Sequence, residues 1–178
     1  MDPILEQQVR ILVDKNAIEE CLLRYTRGVD RLDVELIKSA FHPDALDNHT
    51  RAVRGSVDTM LDWWLPQQAD REAQHHFVTN QTIDIDGDVA HSESYFLTFI
   101  KMSTSPAGTL SAGRYIDRLE KRAGQWKVAL RTVLTEWQAS VDASLTSEFL
   151  PGLVMGLQRR DRSDPSYDRP LTDPPAQA

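Results

Sequence analysis

The stretch His76-Phe-Val-Thr-Asn-Gln-Thr-Ile-Asp-Ile-Asp-Gly-Asp-Val-Ala-His-Ser-Glu-Ser-Tyr-Phe-Leu-Thr-Phe-Ile-Lys-Met102 decides the fold. From His76 to Asp86 the pattern has period two, Gly87-Asp88 interrupts it, and it resumes from Val89 to Met102. A period of two is that of a strand with one buried face. Asp86-Gly87 between two such runs is a hairpin signal. Toward the C-terminus, Pro106-Ala-Gly108 predicts the next turn. Leu110–Lys121 and Gln125–Gln138 then predict a second hairpin around Ala123-Gly124.

Toward the N-terminus the period is helical. Val9, Leu12, Val13, Ile18, Leu22, Tyr25 and Val29 recur at spacings of about three and four within a helix expected from Leu5 to about Val29. Asp33 is a natural N-cap for a short helix over Val34–Phe41, with Leu36, Ile37 and Ala40 inward; His42-Pro43-Asp44 ends it. Residues 45–54 read as a short extended segment. Ser56 caps a third helix carrying Met60, Leu61, Trp63, Trp64 and Leu65, stopped by Pro66. Helices first and antiparallel strands afterwards make an α+β layout, a curved sheet wrapped over the N-terminal helices.

A chain of 178 residues, 40% hydrophobic and 26% charged, has the size and composition of one globular domain. A net charge of −7 argues against a nucleic-acid partner. The single cysteine, Cys21, permits no intramolecular disulfide, which fits a cytoplasmic location. Met1–Arg10 lacks the basic and apolar regions of a secretory leader, and no apolar run has the length of a membrane span. Residues 1–144 form the expected domain. Residues 145–178 are a C-terminal extension: Leu145–Leu157 suits a helix or an arm, and 158–178, with Pro165, Pro170, Pro174 and Pro175, predict little packing unless a partner orders them.

Few residues carry chemistry. His42, His49, His75, His76 and His91 show no metal-ligand spacing, and the chain has no phosphate-binding loop or nucleophile elbow, so no metal or cofactor is expected. Asp33 has a capping task; Asp30, at the end of the first helix, has none, and the helix dipole disfavours an anion there. A solvated turn aspartate and a functional carboxylate both remain open for it. His75 and His76 point to opposite faces of a strand, and alternation does not settle which is inside. Arg131 lies mid-strand between Leu130 and Val133, where a guanidinium must be paired, face a wet cavity or point outward. Tyr25 is five residues before Asp30, so the two converge only if the helix stops first. His49, Trp64, Tyr95, Leu97, Phe99 and Tyr115 are candidate pocket residues, each with core packing or a surface position as the alternative.

Tyr25-Thr-Arg-Gly-Val-Asp30-Arg-Leu-Asp33, Phe41-His-Pro-Asp44-Ala, His76-Phe-Val-Thr-Asn80 and Gly124-Gln-Trp126-Lys-Val-Ala-Leu-Arg131 together resemble the nuclear transport factor 2-like (cystatin-like) superfamily. They are similar in particular to its SnoaL-like branch, which contains scytalone dehydratase, hexachlorocyclohexane dehydrochlorinase and bile-acid 7α-dehydratase. The resemblance spans roughly residues 8–140. It implies a cone of curved sheet closed by helices around an apolar pocket. It selects His76 over His75, and it makes Asp30 and His76 a basic dyad, with Arg131 and Tyr25 assisting the leaving group. The implied activity is a cofactor-independent lyase of dehydratase type, or an isomerase, on an alicyclic or polycyclic molecule. A ligand-binding module, or the small structural subunit of a ring-hydroxylating dioxygenase, is the alternative. Relatives assemble through the outer sheet face, which implies a homotrimer or dimer with apolar help from Phe149-Leu150-Pro151.

Overall fold

The computed structural model describes residues 2–49, 51–143 and 158–171. Helix α1 runs Pro3–Arg31 and α2 runs Val34–Ser39; strands β1 (Phe41–His49) and β2 (Val53–Ser56) follow, then α3 (Val57–Trp64) and a 3-10 turn over Leu65–Gln68. Four long strands complete the domain: β3 (Arg71–Asp86), β4 (Val89–Met102), β5 (Ala107–Arg122) and β6 (Gln125–Asp142). They form one open, mixed six-stranded sheet of order β2-β1-β6-β5-β4-β3. All neighbours are antiparallel except β1 and β6, which run parallel.

The element ends follow local chemistry. Asp2 caps α1 by accepting from Ile4 N at 3.0 Å, and Leu32 closes its far end in the left-handed conformation, its N–H reaching Gly28 O and Val29 O. Asp33 accepts from Leu36 N at 3.1 Å and starts α2, as expected. Gly28 lets the two helices touch, since a Cβ there would lie 2.8 Å from Ile37 N.

Three boundaries differ from the sequence reading. Helix α1 continues through Asp30 to Arg31. Helix α2 stops at Ser39, and Phe41 opens β1, whose parallel partner β6 lies far along the chain and is invisible to local pattern. Strand β3 starts at Arg71, five residues before His76, because it pairs with the far end of β4 up to Met102.

The core lies between the concave sheet face and the C-terminal half of α1, with α2 and α3. Ile18, Cys21, Leu22, Tyr25 and Val29 from α1 meet Ile37, Met60, Leu61 and, from the sheet, Phe96, Tyr115, Leu119 and Val128. Val9, Leu12 and Val13, read as part of the buried stripe, are exposed instead, because α1 meets the core only from about Ala17 onward. Register shifts between Thr79 and Thr82 and between Ala112 and Gly113 bend the sheet, as bulges do. At the second, a Cβ on Gly113 would fall 2.0 Å from Leu134 O, so the strand can bend that closely only with glycine there. No helix among the described residues is long and apolar enough to cross a membrane.

Residues 158–171, whose composition predicts little packing, lie against the C-terminal end of α1. Arg27 donates to Ser166 O at 3.0 Å, Tyr167 Oη donates to Asp33 Oδ2 at 3.0 Å, and Asp164 faces Arg31 at 3.3 Å. Their partners are scattered between positions 27 and 74, so the tail's own composition carries no trace of the contact. Phe149-Leu150-Pro151 falls outside the described residues.

Candidate active site

Asp30 and His76 meet. The Asp30 carboxylate approaches His76 twice: Oδ1 lies 2.7 Å from the ring Nδ1, and Oδ2 accepts the His76 backbone N–H at 3.0 Å. A carboxylate only accepts, so Nδ1 carries the proton and Nε2 of the neutral ring is left with a free lone pair. The two-point contact fixes both position and ring orientation. It does not require α1 to stop early; Asp30 reaches β3 from the helix's last turn. His76 lies on the inner face of β3 with Gln74 and Val78, while His75 and Phe77 face out. The pair remains reachable, its side chains 9% and 14% exposed.

Arg131 occupies a different environment. Its side chain is fully enclosed, and it donates to both oxygens of Asp117, Nε to Oδ1 at 2.8 Å and Nη2 to Oδ2 at 2.7 Å. The guanidinium lies over Tyr25 and Tyr115, 4.2 and 4.4 Å from their ring centroids, with Phe41 at 5.4 Å. Burial disfavours its charge, but Asp117 outweighs burial and holds the pKa above the ordinary arginine value. Burial likewise pushes the hydroxyls of Tyr25 and Tyr115 well above the ordinary phenol value, with Arg131 opposing. Both are therefore neutral hydrogen-bonding groups near neutral pH.

Asp47 extends this row. It pairs with Arg131 across β1 and β6, just as Asp117 pairs with Arg131 across β5 and β6. Asp47 is also fully enclosed, yet among the described residues neither of its oxygens has a hydrogen-bond partner, and the buried Nη1 of Arg131, Nδ1 of His49 and Oγ of Ser94 likewise have none there. His49 sits two residues along the same face, its Nδ1 3.4 Å from Asp47 Oδ1 and its ring 5.9 Å from that of Trp63.

Among the expected pocket residues, Tyr115 lies inside, stacked on Phe96 and edge-on to Tyr25. Trp64 is a core residue of α3. Tyr95, Leu97 and Phe99 are corrected by the structure: they alternate as expected but on the outer face, with Tyr95 and Leu97 exposed. The inner set of β4 is Ala90, Ser92, Ser94, Phe96 and Thr98. Four of these are small or hydroxylic, so hydrophobicity marks the wrong face. Sequence reasoning also missed Gln68 and Gln74, both buried, and Arg160, which touches them. No local pattern distinguishes these from surface residues. Among the described residues, no group of three His, Cys, Asp or Glu side chains is arranged as metal ligands.

The fold is an α+β arrangement of N-terminal helices on an open, mixed six-stranded sheet. A family model for the SnoaL-like domain matches residues 10–132, and the chain belongs to that family. Among solved structures, it resembles a hexachlorocyclohexane dehydrochlorinase, LinA type 2, with a TM-score of 0.69 and 18% identity over 82% of this chain and 99% of that one. A candidate scytalone dehydratase from Novosphingobium aromaticivorans matches with a TM-score of 0.67 and 22% identity over 72% and 87%. A candidate aromatic ring hydroxylase from the same organism gives 0.66 and 18% over 73% and 94%. At these identities the likeness concerns the fold. No curated protein matches the chain.

Proposed function

We propose that the protein is a cofactor-independent lyase of dehydratase type, acting on an alicyclic or polycyclic small molecule with a C–H acidified by a neighbouring group. The observation that carries this is the Asp30–His76 contact, which leaves Nε2 free on a reachable, oriented imidazole. Nε2 removes the proton from carbon, and Asp30 stabilises the imidazolium that forms. The electron pair moves into the new double bond and expels the hydroxyl. An isomerase would begin with the same step. The dehydrochlorinase and the candidate dehydratase among the structural neighbours agree with elimination chemistry.

Arg131 is fully enclosed and committed to Asp117, whereas 19% of the His49 side chain is open. His49 is therefore the better candidate to touch the substrate from the β1 side of the sheet. Arg131 acts through Tyr25 and Tyr115, whose rings it holds in place.

Cyclic β-hydroxy ketones incubated in deuterium oxide test the reading. The native protein is expected to lose water from a substrate of the right shape and to exchange its α-proton. His76→Ala and Asp30→Asn each abolish both while the circular-dichroism spectrum persists; full activity in either variant sinks the assignment.

The outer sheet face supports assembly. Phe77, Leu97, Ala112 and Trp137 form one cross-strand row, and Phe77, Leu97 and Trp137 are 55%, 40% and 48% exposed. We read it as the contact surface of a homotrimer, to be checked by light scattering after gel filtration; a clean monomer at micromolar concentration refutes it. The same row favours a second reading, a non-catalytic subunit beside a larger partner. Undiminished function in His76→Ala would select that reading.

A further inference from the structure

The tail segment 158–171 lies beyond the region matched by the family, yet one of its side chains converges on the point where Asp30 meets His76. The Arg160 guanidinium donates from Nε to Asp30 O at 3.3 Å, from Nη1 to Arg71 O at 3.2 Å, and from Nη2 to Gln68 Oε1 at 3.0 Å, Gln74 Oε1 at 3.3 Å and Val29 O at 3.5 Å. It thereby joins the end of α1, the 3-10 turn and the start of β3. These are the two elements that carry the dyad, plus the turn between them in sequence.

The partners are informative. Val29 O and Asp30 O belong to the last turn of α1, where the i+4 donors run out and the helix dipole is negative; Val29 O receives only the long contact from Leu32 N at 3.4 Å. That end disfavours the Asp30 carboxylate. A guanidinium on those carbonyls offsets the dipole and satisfies the acceptors together. Gln74 is two residues before His76 on the same inner face, so the contact also fixes the β3 side of the pair.

We propose that Arg160 is a positioning residue for the Asp30–His76 pair, holding the last turn of α1 against β3 so that the carboxylate keeps its two-point contact with the histidine. The surrounding charged and titratable groups are Asp30 and Arg31 on α1, Arg71 and His76 on β3, Tyr115 on β5 and Asp164 on the tail. Burial and Arg71 lower the Arg160 pKa, with Asp30 opposing and Arg31 adding to the fall, to about 10, so the group stays charged at neutral pH.

The inference rests on the dyad being functional, but its test needs no substrate. NMR on the full-length, isotope-labelled protein reads the His76 ring N–H, identified as the resonance that Asp30→Asn removes. In Arg160→Gln its exchange with water should accelerate by about tenfold or more. Arg162→Gln, on the same segment but 72% exposed and paired with Asp33, should leave it unchanged. If Arg160→Gln does not fold, Arg160→Lys carries the test: it keeps the charge but not the fork, and faster exchange than in the native protein is again expected. An unchanged ring N–H in the folded variant overturns the proposal, even if amide exchange of residues 158–171 speeds up, because Arg160 would then anchor only the tail. If no hydroxy ketone is turned over, the lyase reading falls while the ring N–H still decides the role of Arg160.

Discussion

Arg131–Asp117 and His76–Asp30 are both carboxylate contacts of 2.7 Å on the inner side of one sheet, yet their surroundings differ. The first has no exposed side-chain surface and three aromatic rings around it. The second is 9% and 14% exposed and is made between a helix end and a strand. A charge pair enclosed among aromatic rings is placed to organise what surrounds it. A pair with an open edge can do chemistry, and needs outside support to hold its geometry. Arg131 is set among the rings of Tyr25, Phe41 and Tyr115, and Arg160 is the support proposed for the open pair.

The comparison breaks most sharply on activity. His76→Ala should lower turnover by about 10²–10⁴-fold, the range for losing a general base, while changing the urea midpoint little. Asp117→Asn should do the reverse. Leaving the buried Arg131 uncompensated should cost about 3–5 kcal/mol of stability, read as a fall in the urea midpoint at unchanged slope. Equal effects of the two variants on both measurements would erase the distinction.

Two smaller effects sharpen it. Gly28→Ala should destabilise the protein by about 1–3 kcal/mol, since its Cβ meets Ile37 N and Cγ1 at 2.8 Å and must part α1 from α2 two residues before Asp30. Activity should fall beyond the loss of folded protein, checked by comparing turnover with the folded fraction.

The smallest effect is acid release of the tail. Burial alone would raise the Asp164 pKa, but hydrogen bonds from Arg159 N, the Ser166 hydroxyl and Ser166 N, with Arg31 nearby, outweigh it and hold it down at about 2. A depressed carboxyl stabilises above its unfolded value near 3.8 and loses that contribution as pH falls toward 2. Amide protection of residues 158–171, relative to an unstructured chain at the same pH, should therefore fall across that window, and Asp164→Asn should show the reduced protection already at neutral pH.

Period two over His76–Met102, turn residues at Asp86-Gly87 and Ala123-Gly124, and caps at Asp33 and Ser56 are local signals, and all were readable because each acts within a few residues. The α+β layout follows from them, and the family resemblance adds the pairing of Asp30 with His76. Three things needed the assembled fold. The inner face of β4 is built from small and hydroxylic residues, so hydrophobicity pointed to Tyr95, Leu97 and Phe99 on the wrong side. The enclosure of Arg131 depends on Tyr25 from α1, Phe41 from β1 and Asp117 and Tyr115 from β5 converging on it. Arg160 meets Asp30 across 130 residues of chain. Local sequence determines which elements form, because propensity and periodicity act over a few residues. Which side chains end up closed, open or supported is decided only when distant strands and the tail come together, because burial and long-range pairing belong to the whole fold.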